Sequence, residues 1–404
     1  MGSYKKKRTK VLFITPYYFP LVGGAEIALH NLCEALSKCG VEPFVLTPPL
    51  GPKGKRQEQI GNVNIFRYET SFVFRRINYY LARLSKNVVP IQHFEGFYCA
   101  YKIIKKYDID LIHLHYFRNT SIIGYLCKKI LGMPLITHLV GDDIFDPVAP
   151  VPDNNWRYYS LVLNNSEAVV AASTFVKKII DLHAEVEDCK IIPYGLDTNV
   201  MKPLKQLDQK QLEKQLGIGN DDKIVIAVQR LDPRKSVEVL LRAARIVVDT
   251  LPNTKYVIVG DGPERARLER LKKQLRLDKN VIFTSKISQE DLIKYLSIAD
   301  IFSIHTMYEG FGIVFIEALS MGLPIVTTLA GGNEGIIENG KNGFMVEPND
   351  SFELANKTIF LLRNDEIRKS MSPRNRDKAE KEYDLTVIAG QWTKLYKESL
   401  RVAK

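Results

Sequence analysis

Residues 301–328 read IFSIHTMYEGFGIVFIEALSMGLPIVTT. The apolar run Ile301–Ile304 has the length of a buried strand, and Glu309-Gly310-Phe311-Gly312 is a glycine-rich turn. Gly312–Met321 has helical spacing, and Gly322-Leu323-Pro324 stops it before a second apolar run, Pro324–Thr328. Two strands separated by a helix need a crossover, so the segment predicts a βαβ unit in a parallel sheet.

The alternation continues outward. Lys223–Gln229, Ser236–Thr250, Lys255–Gly260, Pro263–Leu277, Asn280–Thr284 and Ser288–Ile298 precede the segment, and Gly343–Glu347 and further helices follow it. A separate series fills the first half: Lys10–Thr15, Ala25–Lys38, Leu111–Leu114, Ser121–Leu131, Pro134–Leu139, Trp156–Asn165, Ala168–Ala172, Thr174–His183 and Lys190–Pro193. Between the two series the pattern relaxes into turn residues around Tyr194–Leu207, where we place a boundary. A chain of 404 residues is too long for one hydrophobic core, which stops growing at roughly 250–300 residues. The expectation is therefore α/β, with two Rossmann-like, doubly wound parallel-sheet domains. No repeat of 20–50 residues is visible.

Two glutamates, Glu309 and Glu317, flank the glycine-rich helix start. Glycines let backbone approach a ligand, and the free N–H groups of a first helical turn attract an anion such as a diphosphate. Carboxylates on either side suit sugar hydroxyls. Gln229-Arg230-Leu231-Asp232-Pro233-Arg234-Lys235 follows the first strand of the second series, where open parallel sheets bind ligands, so Arg230 and Lys235 are placed to neutralise phosphate. Gly23-Gly24 opens a helix after the first strand of the chain, but it is not the dinucleotide fingerprint. His113, His115 and His138 sit on strand ends, and we single out His138, which borders Gly141-Asp142-Asp143. Adjacent Asp142 and Asp143 point in different directions and lack a third ligand, so no metal is expected.

The composition is that of an ordinary globular protein, 45% hydrophobic and 25% charged. Five scattered cysteines lack metal-binding spacing and suit a reducing compartment. No apolar run approaches the roughly 20 residues of a membrane span and no cleavable leader is recognised, so a cytoplasmic location is expected. The net charge is +11, and residues 1–190 hold 24 Lys/Arg against 17 Asp/Glu. Anionic partners follow from this, but no nucleic-acid-binding module is present and nucleic acid is not expected. Arg75–Lys86 is basic and interleaved with aromatic and aliphatic residues. It reads either as a peripheral contact with an anionic membrane or as an ordinary surface helix.

Taken together, the motifs resemble the GT-B glycosyltransferases of retaining family 4, whose mark is Glu-x7-Glu. The resemblance rests on Gly23-Gly24-Ala25-Glu26, Asp110-Leu111-Ile112-His113-Leu114-His115, Thr137-His138 with Gly141-Asp142, and Ile192-Pro193-Tyr194-Gly195-Leu196-Asp197. Arg230 with Lys235, Val259-Gly260-Asp261-Gly262-Pro263, Glu309 to Glu317, and Gly331-Gly332 with Glu334 complete it. It implies an acceptor-binding domain over residues 1–195, a nucleotide-sugar-binding domain over 196–387, a final helix at about 388–404 returning to the first domain, and a site in the cleft between them. It further implies that Arg230 and Lys235 hold the donor diphosphate and Glu317 the ribose. Glu309 with Gly310, Phe311 and Gly312 contacts the donor sugar, Gly23 and Gly24 approach the donor, and His138 lies beside the transferred sugar, with His115 and Asp142 on the acceptor side. The activity implied is hexosyl transfer from a UDP- or GDP-sugar to a hydroxyl of a glycan or glycolipid, without cofactor or metal. A GT-B-fold nucleotide-sugar epimerase and a catalytically silent, phosphate-binding paralogue remain alternatives. Gln229, Ser236 and Asn333 depart from the family's usual residues.

Overall fold

A parallel strand buried on both faces must be apolar throughout, and β1 (Thr9–Ile14) shows this, with Val11, Leu12, Phe13 and Ile14 all fully buried. In the computed structural model, which describes residues 8–19, 23–49, 55–68, 92–118, 120–145 and 153–403, the chain continues as α1 (Gly24–Lys38), β2 (Val41–Thr47), β3 (Gln57–Ile60) and β4 (Val63–Arg67). There follow α2 (Gln92–Tyr107), β5 (Leu111–His115), α3 (Ser121–Leu131), β6 (Leu135–Leu139), α4 (Asp153–Leu163), β7 (Ala168–Ala171), α5 (Thr174–His183) and β8 (Cys189–Ile191). Their strands form one sheet in the order β3-β4-β2-β1-β5-β6-β7-β8, parallel except for the antiparallel edge pair β3/β4.

The second series is α6 (Gln206–Gln215), β9 (Lys223–Val228), α7 (Val237–Thr250), β10 (Thr254–Val259), α8 (Arg265–Gln274), β11 (Val281–Phe283), α9 (Gln289–Ser297) and β12 (Ile301–Ile304). It ends with α10 (Ile313–Ser320), β13 (Ile325–Thr328), β14 (Gly343–Val346), α11 (Ser351–Arg363) and α12 (Asp365–Glu382). Its sheet order is β11-β10-β9-β12-β13-β14, all parallel. Two compact units result, Met1–Gly195 with Leu385–Lys404, and Leu196–Asp384.

The last helix, α13 (Leu385–Val402), lies in the first unit. Its Ile388, Ala389, Trp392, Leu395 and Tyr396 share a buried cluster with Val11 and Phe13 of β1 and with Leu29, Leu32 and Leu36 of α1. The opposite face of that sheet is covered by α2 to α5 through Ile103, Ile104, Ile123, Trp156, Val162, Val176 and Ile180. Strands β2 to β4 and helices α2 and α6 were not anticipated. Pro43 interrupts the apolar run of β2, and β3 is a polar edge, Gln57-Glu58-Gln59-Ile60, with little hydrophobic periodicity to read. Arg75–Lys86 lies outside the described residues. Among the described residues no helix is long and apolar enough to cross a membrane.

Trp392 is fully buried, with its ring centroid 4.4 Å from that of His113 and 4.9 Å from that of His138. Trp392→Ala is expected to lower the stability of the first unit by about 3–5 kcal/mol, the cost of an unfilled aromatic cavity. Denaturant unfolding followed by circular dichroism measures it.

Candidate active site

The second sheet changes winding direction at β9 and β12, which are neighbours although the chain visits β10 and β11 between them. Open parallel sheets bind ligands at such a switch point, beyond the carboxyl ends of the strands. After β9 the chain makes a single 3₁₀ turn, Pro233–Lys235, ended by Ser236 at φ 39° and ψ 50°. The left-handed region disfavours a side chain, so the serine here is held by its surroundings. The turn sends Lys235 toward the loop after β12, which Met307 ties down by donating its N–H to the Arg234 carbonyl at 3.1 Å. Lys235 Nζ meets Glu309 Oε2 at 2.5 Å. The two side chains are only 11% and 18% exposed, so water screens the pair weakly.

Glu309 is fixed from the other side by its backbone. Its N–H donates to Ala330 O at 2.8 Å and its carbonyl accepts from Gly332 N at 2.7 Å. At this approach a Cβ on Gly332 would lie 2.2 Å from the Gly310 backbone, so only glycine fits. Asn333, one of the departures from the family pattern, is buried as the brace of this loop. Its Nδ2 donates to Thr328 O at 2.6 Å, and its Oδ1 accepts from Ala330 N at 3.2 Å. Gly312 caps α10 in the left-handed region at φ 83°, and no acidic residue occupies the first turn of α10, so its N–H groups keep their pull on an anion.

Glu317 lies in the second turn of α10, half-buried, and burial alone pushes its carboxyl up to about 7. Arg230 is exposed, its side chain 72% accessible, and it rests 3.7 Å from Asp232. Gln229 is buried at the end of β9, and both its amide atoms lack partners among the described residues. Phe311 is buried against Tyr383, with ring centroids 6.1 Å apart. Lys235, Glu309, Gly310, Phe311, Gly312, Glu317 and Arg230 thus all follow β9 or β12.

In the first unit Gly23 is the N-cap of α1 and Gly24 its first residue, with Glu26 in the first turn. His138 is enclosed at 1% exposure. Its Nδ1 is 3.1 Å from His115 Nδ1, and its Nε2 has no partner among the described residues. His115 also shares a hydrogen bond with Tyr194 Oη at 3.1 Å, and His113 Nδ1 one with Tyr396 Oη at 2.8 Å. Burial holds all three imidazoles well below their ordinary range, so they are neutral. Their nitrogens lie within 4.8 Å of one another, a spacing with metal-ligand chemistry, although hydrogen bonds and the Trp392 ring already occupy much of the cluster. Asp142 is half-buried, whereas Asp143 accepts from Phe117 N at 2.7 Å, Val140 N at 3.1 Å and Gly141 N at 2.7 Å. Desolvation nevertheless raises the Asp143 carboxyl to about 6. Asp143 therefore pins the loops after β5 and β6, a role that the doublet in the sequence does not disclose.

The shift at Glu317 has a consequence for stability. A carboxyl raised from 4.5 to about 7 keeps its proton in the folded state while the unfolded chain loses it. Stability therefore falls as pH rises from 4.5 to 7 and levels off above. Glu317→Gln should stabilise the nucleotide-free protein by about 2 kcal/mol at pH 8, allowing for partial solvent access, and by almost nothing at pH 4. Urea midpoints of both proteins at the two pH values check this, and an equal difference at both would contradict it.

Comparison with known proteins follows the same division. The family model Glycosyltransferase Family 4 matches residues 22–200, and the model Glycosyl transferases group 1 matches residues 208–378. N-acetyl-alpha-D-glucosaminyl L-malate synthase of Bacillus anthracis is 27% identical over 391 residues, covering 95% of this chain and 96% of that protein. Alpha-monoglucosyldiacylglycerol synthase of Acholeplasma laidlawii is 26% identical over 405 residues, covering 94% of each. The solved structure of Anabaena Alr3699/HepE in complex with UDP-glucose superposes with a TM-score of 0.77 at 22% identity, over 97% of this chain and 100% of that one. With two family models end to end along it and relatives of matching length, the chain belongs to the family 4 glycosyltransferases and has the GT-B fold.

Proposed function

We propose that the protein is a hexosyltransferase that moves a sugar from a UDP- or GDP-sugar to an acceptor hydroxyl of a glycan or glycolipid, with retention of anomeric configuration. The observation that carries this reading is the Lys235–Glu309 pair beside the open start of α10 at the switch point of the second sheet. Lys235 and the α10 N–H groups offer positive charge where a diphosphate gains negative charge on leaving, and Arg230 reaches the same anion from the surface. Glu309 orients Lys235 before the donor arrives, and its carboxylate then hydrogen-bonds the donor sugar. Glu317, poorly hydrated, is a strong acceptor for ribose hydroxyls once ionised.

Retaining hydrolases flank the scissile bond with two carboxyl groups about 5 Å apart, one of them a nucleophile. Here Glu309 is tied to Lys235 and Glu317 is assigned to the ribose. The acceptor hydroxyl therefore attacks C1 on the face that the diphosphate leaves: the acceptor oxygen bonds C1, the C1–O bond electrons pass to the phosphate, and that oxygen takes the acceptor's proton. The names of the two relatives, one a malate glycoside synthase and the other a glycolipid synthase, agree with a hydroxyl acceptor. A lipid-linked acceptor also agrees with the basic Arg75–Lys86 stretch as a peripheral membrane contact.

Lys235→Ala and Glu309→Ala should each reduce transfer by about 100-fold or more, the scale of one lost electrostatic donor. The assay uses UDP- and GDP-hexoses with a mixed acceptor panel, and the anomer of the product is read by NMR. Undiminished turnover in both variants would remove the site assignment. Interconversion of the donor sugar without acceptor would identify an epimerase instead.

A further inference from the structure

The ammonium of Lys235 can be no better placed than the 3₁₀ turn that carries it, and that turn is held from the stretch after β12. Met307 N donates to Arg234 O at 3.1 Å. His305, two residues earlier on the same stretch, is fully buried. Its Nε2 accepts the Asn349 N–H at 3.0 Å. A backbone N–H only donates, so Nε2 is the bare nitrogen and the proton of the neutral ring sits on Nδ1. Desolvation keeps the ring neutral: it lowers the imidazole to about 4, against the opposing pulls of the Lys235 main chain and of Glu238 in the first turn of α7.

The Nδ1–H has no partner within bonding distance among the described residues, and it faces the Lys235 main chain. A buried donor without an acceptor is costly, so any approach of the Lys235 carbonyl is favoured. At the other end of the ring, Asn349 stands at φ 65°, a conformation asparagine takes more readily than most residues. The next residue, Asp350, caps α11 by accepting from Glu353 N at 2.8 Å. The imidazole thus bridges the loop between β14 and α11 to the turn of Lys235. An aliphatic side chain would fill the same buried place, but it would offer Asn349 no acceptor and Lys235 no donor.

We propose that His305 is a positioning residue for cleavage of the donor: its Nδ1–H steadies the Lys235 main chain, and so fixes the ammonium, while the side chain passes from Glu309 to the leaving diphosphate. The proposal rests on the donor-site reading only in giving Lys235 that task. Support of this kind matters most where charge develops on the leaving group, so its loss falls on kcat rather than on the KM for the donor.

Steady-state transfer by the full chain, by His305→Leu, by Lys235→Ala and by the double variant tests it. His305→Leu should lower kcat about tenfold, less than the roughly 100-fold of losing Lys235 itself, with the donor KM changed by no more than about twofold. In the Lys235→Ala background the same substitution should cost nothing further, because it acts through that lysine. His305→Asn, whose amide can donate where the Nδ1–H does, should recover more of kcat than His305→Gln, whose amide reaches only the Nε2 position. Nitrogen-15 NMR of the unaltered chain should show Nδ1 of His305 protonated and Nε2 bare. An Nε2–H tautomer, equal losses in both Lys235 backgrounds, an unchanged kcat with only a lower unfolding midpoint, or Asn and Gln variants that behave alike would overturn the proposal. If His305→Leu does not fold, the tautomer and the comparison of Asn with Gln decide. If the unaltered chain transfers no hexose, the glycosyltransferase reading fails, and affinity for UDP or GDP, measured by calorimetry, replaces kcat in the same cycle. Absence of nucleotide binding as well would remove the task of Lys235 and the proposal with it.

Discussion

The second unit is organised around one constraint, a lysine and a glutamate brought together beyond the carboxyl ends of the two central strands with little water around them. Nothing in the local sequence near Lys235 calls for Glu309, 74 residues away. The contact depends on β9 lying beside β12, on a 3₁₀ turn that Ser236 ends in the left-handed region, and on the Gly331-Gly332 loop that holds the backbone of Glu309. Such a pair contributes little net stability, because desolvation offsets most of the attraction. Loss of one partner is costly because it strands the other charge. What the pair supplies is a cation held in a fixed place.

Each unit has a helix that begins at glycine, and the two open differently. At α10 the helix start is made by Gly312 alone, and the first turn carries no acid. At α1, Gly23 and Gly24 give equally bare backbone, but Glu26 in the first turn already complements the dipole. The same glycine pattern therefore opens an acid-free first turn in one case and a first turn whose acid complements the dipole in the other. Glycine content alone does not separate them; the acid in the first turn does.

This contrast bears on how much could be read from the chain. The parallel strands were legible because burial on both faces makes them uninterrupted apolar runs, as Val11–Ile14 and Ile301–Ile304 show. The family was legible because Glu309 to Glu317, Arg230 and Lys235 keep their spacing. Less could be read where sequence neighbours are not spatial neighbours, or where polar strands lack a period. β3 escaped for the second reason. The hold of Asp143 on the Phe117 N–H and the partnership of Lys235 with Glu309 escaped for the first.

His138 shows the same limit from the other side. A histidine at a strand end beside a glycine loop has the credentials of a reactive group, yet the burial that keeps its imidazole neutral also encloses it among His113, His115 and Trp392. Its backbone carbonyl nonetheless receives the Tyr116 N–H, and the adjoining loop delivers Asp143 to Phe117 N. The end of β6 thus acts on the end of β5 through main-chain and carboxylate hydrogen bonds. Those bonds hold Tyr116 at φ 70°, in a conformation it would otherwise leave, because one left-handed residue is tolerated only where its neighbours on both sides are fixed. The buried strand ends thus supply rigidity to the side chains that the loops beyond them turn outward.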